Sequence, residues 1–208
     1  MKKVIPILFA LIGIGFILFP HIQKEIYATQ EQELIQEFRE LDEVFTSHQQ
    51  RSEIEVSGDD PNQGEPQDSS VEPGVVGLME ISKIDLTLPM LKGATEENLN
   101  VGLGVMEEAD PLGENGNTGI AGHRGYKHGR LFNRLDEIVP GDEIKIETLE
   151  NELTYIVFDT KIVTPDDVSV LESNDEESII TLITCEPIHD PTHRIIVQAK
   201  KVNNNEAS

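Results

Sequence analysis

Apolar and polar positions alternate through most of the second half of the chain. "VVGLMEISKIDLTLPML" follows the two-residue rhythm of a half-buried strand and breaks around Lys83 to Asp85, which predicts two strands joined by a turn. "DEIKIETLENELTYIVFDTKIV" repeats the rhythm on either side of "LENE" and reads as a hairpin. "NTGIAGH", ending at His123, "SIITLITC" and "HRIIVQAKKV" read as further strands. Helical signals are few. "ATEENLNVG" predicts a short helix capped by Thr95 and stopped by Gly102, and "GRLFNRLDEIV" a turn of helix or 3-10 structure. Seven or eight short strands with little helix predict an all-β unit over residues 75–208, either a closed barrel or a sandwich.

The pattern upstream is different. Between Thr29 and Ser52, Leu34, Phe38, Leu41 and Phe45 recur at the spacing of one helix face, with polar residues between. Thr29 is the expected N-cap, with Gln32 completing a capping box. The helix, residues 29–52, either packs on the β unit or forms a stalk. "SEIEVSGDDPNQGEPQDSSVEPG" has no basic residue, many acids, and Pro and Gly at intervals, so residues 53–74 read as a disordered linker. At the start, Lys2 and Lys3 precede an apolar run from Val4 to Pro20. As a helix it extends roughly 25 Å, close to the hydrocarbon thickness of a bilayer. Residues 1–28 are therefore expected to be a signal anchor, with its N-terminus in the cytoplasm and the rest of the chain extracellular. The competing reading is a cleaved signal peptide.

Charge narrows the partners. With 39 acidic and 16 basic side chains the formal net charge is −23, which repels nucleic acid and anionic lipid headgroups. Aromatic residues make up 5% and Trp is absent, so base-stacking platforms are not expected. A single cysteine, Cys185, rules out an internal disulfide.

That cysteine ends one expected strand, and Arg194 opens the next. If the two strands are neighbours, Cys185 and Arg194 meet at one rim, and His123, at another strand end, can reach it. A thiol, an imidazole and a guanidinium so placed supply a nucleophile, a proton carrier and an oxyanion donor for acyl transfer. By pattern alone, a cysteine after "IITLIT" is more often a core residue, and a strand-end His or Arg more often a surface group.

"TLITC" followed by Arg194, together with "IAGHRG" upstream, resembles the signature of the sortase family. The similarity runs from about Val75 to Val202, and the order of anchor, linker, short helix, His strand, Cys strand and Arg strand is also similar. The resemblance implies an eight-stranded β-barrel with short helices, behind an N-terminal transmembrane helix and linker. It implies transpeptidation at Leu-Pro-x-Thr-Gly (LPxTG) sorting signals of secreted proteins, cut between Thr and Gly, with transfer to an amine of a lipid-linked peptidoglycan precursor. Cys185 would be the nucleophile, His123 the acid and base, and Arg194 the substrate and oxyanion ligand, helped by donors near Thr184. Ala94, Ala121, Val168, Val170, Leu171, Thr181 and Ile183 match positions lining the Leu-Pro groove.

The resemblance implies no required cofactor. It does mark a candidate calcium activator site, because some class A members carry carboxylates where "EEADPLGE" places Glu107, Asp110 and Glu114. A later loop adds Ser173 or the adjacent Glu172. "GHRG...LFNRLD" and "CEP....THR" are also similar to class C, pilin-polymerising members. The linker's Asp60-Pro61 is followed by Asn62 rather than an aromatic plug, and no second apolar span follows, so class A-like anchoring to peptidoglycan is the expectation. Two readings of other kinds remain: a membrane-tethered β module that binds a partner without catalysis, and a module that only binds metal through the acidic loop.

Overall fold

The structure, a computed structural model, describes residues 26–42, 74–125, 131–173 and 175–202. The expected signal-anchor run, Val4 to Pro20, and the expected linker up to residue 73 lie outside the described residues. Among the described residues no helix is long and apolar enough to cross a membrane.

Eight strands close into one barrel. They are β1 (Val75–Ile81), β2 (Leu86–Lys92), β3 (Leu103–Val105), β4 (Gly116–Ala121), β5 (Glu143–Glu147), β6 (Glu152–Val163), β7 (Ser178–Glu186) and β8 (His193–Lys201), neighbouring in the order β1-β2-β3-β4-β7-β8-β6-β5. The closed barrel is therefore the architecture, and the sandwich is not. The β1–β2 turn at Lys83 to Asp85 and the β5–β6 hairpin fall where the alternation breaks. The short helix also forms as its caps predict: Thr95 accepts a hydrogen bond from the Asn98 amide, and Gly102 ends Glu96–Val101. The eighth strand, β3, is a three-residue segment that alternation alone does not mark. It runs parallel to β2 and antiparallel to β4, filling the gap between them.

Inward-facing positions of each strand build the core. Met79, Ile81, Leu88, Met90, Leu103, Ile120, Ile144, Ile146, Ile180, Leu182 and Val197 are among its buried members. The 3-10 helix Phe132–Glu137 plugs one end with Phe132 and Leu135, both fully buried. Tyr155, also fully buried, keeps its hydroxyl within 3.5 Å of the Ser178 hydroxyl. Burial pushes its pKa up, as expected for a phenol removed from water.

Residues 26–42 are continuously helical, so Thr29 and Gln32 lie inside the helix instead of capping it. Ile26, Tyr27 and Ala28 contain no helix breaker and carry the helix past the expected start. Phe38 is buried, and Leu34, Phe38 and Leu41 enclose a small cavity of about 60 Å³ with Gly74, Val75 and Leu149. The helix thus lies against the start of β1 and the β5–β6 turn.

This packing creates an electrostatic cost. Burial, then the nearby Asp42 carboxylate, raises the Glu147 pKa, while Arg39 only partly offsets them. A folded-state pKa above the unfolded value means that this group's stabilising contribution is present at low pH and lost as pH rises through the folded pKa. Glu147→Gln is therefore expected to raise the melting midpoint at pH 7 by roughly one or two degrees for a half-exposed site. The gain should fade as pH falls through the raised folded-state pKa and be gone below the ordinary value of 4.5, as followed by circular dichroism.

Candidate active site

The site is built from the end of β7 and its two neighbours. β7 and β8 are antiparallel, with Cys185 opposite Arg194 and Ile183 opposite Ile196. Partners in such a register have Cα atoms about 4.5–5.5 Å apart and side chains on one face. On the other side, β4 runs parallel to β7 with Ala121 beside Ile183. The Gly122 amide donates to the Ile183 carbonyl at 3.0 Å, which extends the register past the strand proper. His123 follows Gly122, two positions past the last paired residue of β4, and Cys185 lies two positions past its partner Ile183 on β7. The strand was expected to run to His123 but ends at Ala121. A side chain on Gly122 would come within 2.6 Å of Phe132 and 2.7 Å of Leu103, so only glycine lets the chain turn here over the plug helix.

The three groups differ in exposure. His123 is exposed, and Cys185 and Arg194 are half-buried. The His123 carbonyl accepts from the Phe132 amide at 3.0 Å, and the Thr184 hydroxyl donates to the Gly122 carbonyl at 2.8 Å. These bonds fix the backbones on both sides of the thiol–imidazole pair. Arg194 spends one donor on the His193 carbonyl at 2.9 Å, and the guanidinium has five. His193 itself is exposed, with Nδ1 hydrogen-bonded to the Thr192 hydroxyl at 2.9 Å. His128 lies outside the described residues.

The expected groove residues separate into three positions. Thr181, Ile183 and Cys185 follow one another on the outer face of β7, while Ile180 and Leu182 face the core. Ala121 and Ile183 are half-exposed neighbours leading up to the thiol. Val168 is 71% exposed on the 3-10 helix Val168–Leu171, Leu171 is half-buried there, and Ala94 is exposed just before the Glu96–Val101 helix. Val170, Thr181 and Thr184 are buried and sit behind this surface. The Thr181 hydroxyl donates to Asn117 Oδ1 at 2.7 Å, and Thr184 braces Gly122.

Two residues that the sequence reading did not single out hold the groove wall. Asn117 Nδ2 donates to the Val170 and Glu172 carbonyls at 3.0 and 3.1 Å, and Gln198 Nε2 donates to the Val170 carbonyl at 3.0 Å. Together they fasten the Val168–Leu171 helix over β4, β7 and β8, and satisfy buried polar groups while doing so. The available signal was a polar residue on the same parity as Arg194 in "RIIVQAK".

The acidic residues are not gathered. Among the described residues no group of three or more His, Cys, Asp or Glu is placed to hold a metal ion. Hydrogen bonds from the Ser173 side chain and the Asn117 amide hold the Asp110 carboxyl below the usual carboxylate range. Asp110 Oδ2 takes the Asn117 amide at 2.8 Å. The Glu107 carboxylate lies over Gly93, and Glu114 and Glu172 are exposed. Asp110 therefore acts as a loop pin, and this donor set does not fit calcium as arranged. Two concave surfaces among the described residues, around Glu177 and Lys200 and around Glu114 and Leu153, lie toward the Ser178 end of β7.

A thiol at the end of β7, with a guanidinium opposite it on β8 and an imidazole just past the end of β4, at one rim of a closed eight-stranded barrel, has the parts of an acyl-transfer site that works through a thioester. Comparison with known proteins agrees with this class. A family model described as Sortase domain matches residues 79–202, and the chain belongs to that family. Sortase A of Bacillus anthracis is 38% identical over 123 residues, which are 59% of this chain and 58% of that protein. The chain thus matches less than two thirds of that relative's length. Among solved structures, a sortase D5 transpeptidase from Clostridium perfringens aligns with a TM-score of 0.65 and 29% identity, covering 85% of this chain and all of that one. A Clostridium perfringens sortase C, solved with the C-terminal cell wall sorting motif, aligns at 0.59 and 26% identity over 83% and 89% of the two chains.

Proposed function

We propose that this protein is a cysteine transpeptidase that cleaves LPxTG-type sorting signals and transfers the acyl fragment to an amine. The observation that carries the reading is the register that sets Cys185 opposite Arg194, with His123 just past the end of β4, the other neighbour of β7. The Cys185 thiolate attacks the Thr carbonyl of the signal. The tetrahedral oxyanion forms within reach of the Arg194 guanidinium, and collapse breaks the Thr–Gly bond as His123 gives its proton to the leaving amine. An incoming amine then loses a proton to His123 and displaces the thiol from the thioester, so the cycle ends with the enzyme as it began.

The particular role proposed is anchoring of secreted proteins to the peptidoglycan precursor by an enzyme held in the cell membrane with its barrel outside. Pilin polymerisation is the competing role, since the relatives include sortases A and C. The test is cleavage, by the full chain, of a panel of quenched LPxTG peptides with an amine acceptor. A peptide–amine product supports the reading, and failure on the whole panel removes it. Because Asp110 is committed to Asn117 and Ser173, chelation with EDTA is expected to leave the cleavage rate unchanged. A rate that falls on chelation and returns with calcium would show that the loop carboxylates rearrange around the ion.

A further inference from the structure

Each of the two central catalytic groups is followed by a charged residue, and the fold brings these together. Arg124 follows His123, and Glu186 follows Cys185. Arg124 Nη1 is ion-paired with Glu186 Oε2, and Nη2 with Asp136 Oδ1 of the plug helix at 3.2 Å. The Arg124 side chain is only 8% exposed, against 29% for Glu186 and 52% for Asp136. A guanidinium this far out of water needs its counter-ions, because a lone charge there is costly. The strand alternation turns Glu186 away from the outer face that presents Cys185, so the bridge is placed behind the groove.

We infer that Arg124, with Glu186 and Asp136, is a positioning bridge that sets the separation of His123 and Cys185 for the acyl transfer proposed above, on which this inference rests. The residues on either side of the pair are tied across the same gap. Before it, the Gly122 amide donates to the Ile183 carbonyl and the Thr184 hydroxyl to the Gly122 carbonyl. After it, Arg124 holds Glu186. Without that second tie, the segment after His123 is joined to the fold through the Phe132 amide and the bridge between Arg124 and Leu131. The bridge also balances charge. Glu186 adjoins the thiol and has the exposed His193 as its cross-strand partner, while Arg194 faces Cys185. Arg124 neutralises the carboxylate next to the thiol, so removing either partner alone leaves an uncompensated charge near the sulfur.

The test uses the full chain with Arg124→Met, Glu186→Gln, the double variant and Arg124→Lys. Misplacement of a catalytic pair costs rate more than binding, so each Met or Gln single variant is expected to lower kcat by about tenfold or more with KM changed less than about twofold. The double variant should be no slower than the slower single, because both changes break one bridge. Arg124→Lys, which keeps the charge and loses the fork, should fall between wild type and Arg124→Met. Alkylation of Cys185 by iodoacetamide at fixed pH needs no peptide. It should slow in Arg124→Met, quicken in Glu186→Gln and return toward wild type in the double variant. Unchanged kcat in Arg124→Met, additive losses in the double variant, or alkylation moving the same way in both singles overturns the inference. If wild type cleaves no peptide, the functional reading fails, and the alkylation pattern still decides whether the bridge acts on the thiol.

Discussion

Cys185→Ala is expected to abolish peptide cleavage, lowering turnover by at least about 10⁴-fold, because Cys185 is the only cysteine in the chain and supplies the thiol that forms the acyl intermediate. The fold should survive it. Cys185 is half-buried on the outer face of β7, outside the core cluster, and loss of one sulfur there is expected to change stability by less than about 1 kcal/mol. Matched thermal melts with an inactive enzyme would therefore assign the whole effect to chemistry. Residual cleavage by Cys185→Ala near the wild-type rate would mean that the nucleophile lies elsewhere.

Arg194→Ala is expected to give the second largest loss, about 10²–10³-fold in kcat/KM, the scale of removing one preorganised oxyanion donor. The register makes the argument specific. Arg194 pairs with Cys185 across the β7–β8 ladder, on the side where the proposed mechanism needs a donor for the tetrahedral oxygen. Arg194→Lys should recover only part of the loss, since an ammonium cannot reproduce the planar fork. Steady-state cleavage of a quenched peptide measures both variants. Full activity in Arg194→Ala would reduce the residue to a surface cation.

Much of this was legible in the chain because it is local. The β5–β6 hairpin follows from alternation around "LENE", and the short helix from Thr95 and Gly102. Cys185 and Arg194 could be placed together because a short loop joins consecutive strands, which makes neighbours the natural outcome. The parts that were not legible depend on distant partners. β3 has three residues and is defined by what it pairs with. The Val168–Leu171 helix is held by Asn117 and Gln198, which lie 53 and 28 positions away from the Val170 carbonyl that they share. The acidic loop shows the reverse case. Glu107, Asp110 and Glu114 are close in sequence, but Asp110 turns to a backbone amide and Glu107 to Gly93, so proximity along the chain did not become a cluster. Arg124 lay inside the quoted "IAGHRG" without an assigned role, because its partner follows the cysteine on another strand.

The central claim is that Cys185 carries the acyl group. Intact-mass spectrometry of the full chain, quenched in acid during turnover of an LPxTG peptide without acceptor amine, tests it most directly. The account predicts an added mass equal to the peptide fragment ending at Thr, mapped to Cys185, lost on adding hydroxylamine and absent in Cys185→Ala. Steady cleavage of the peptide with no such adduct in wild type, or an adduct that persists in Cys185→Ala, would contradict it.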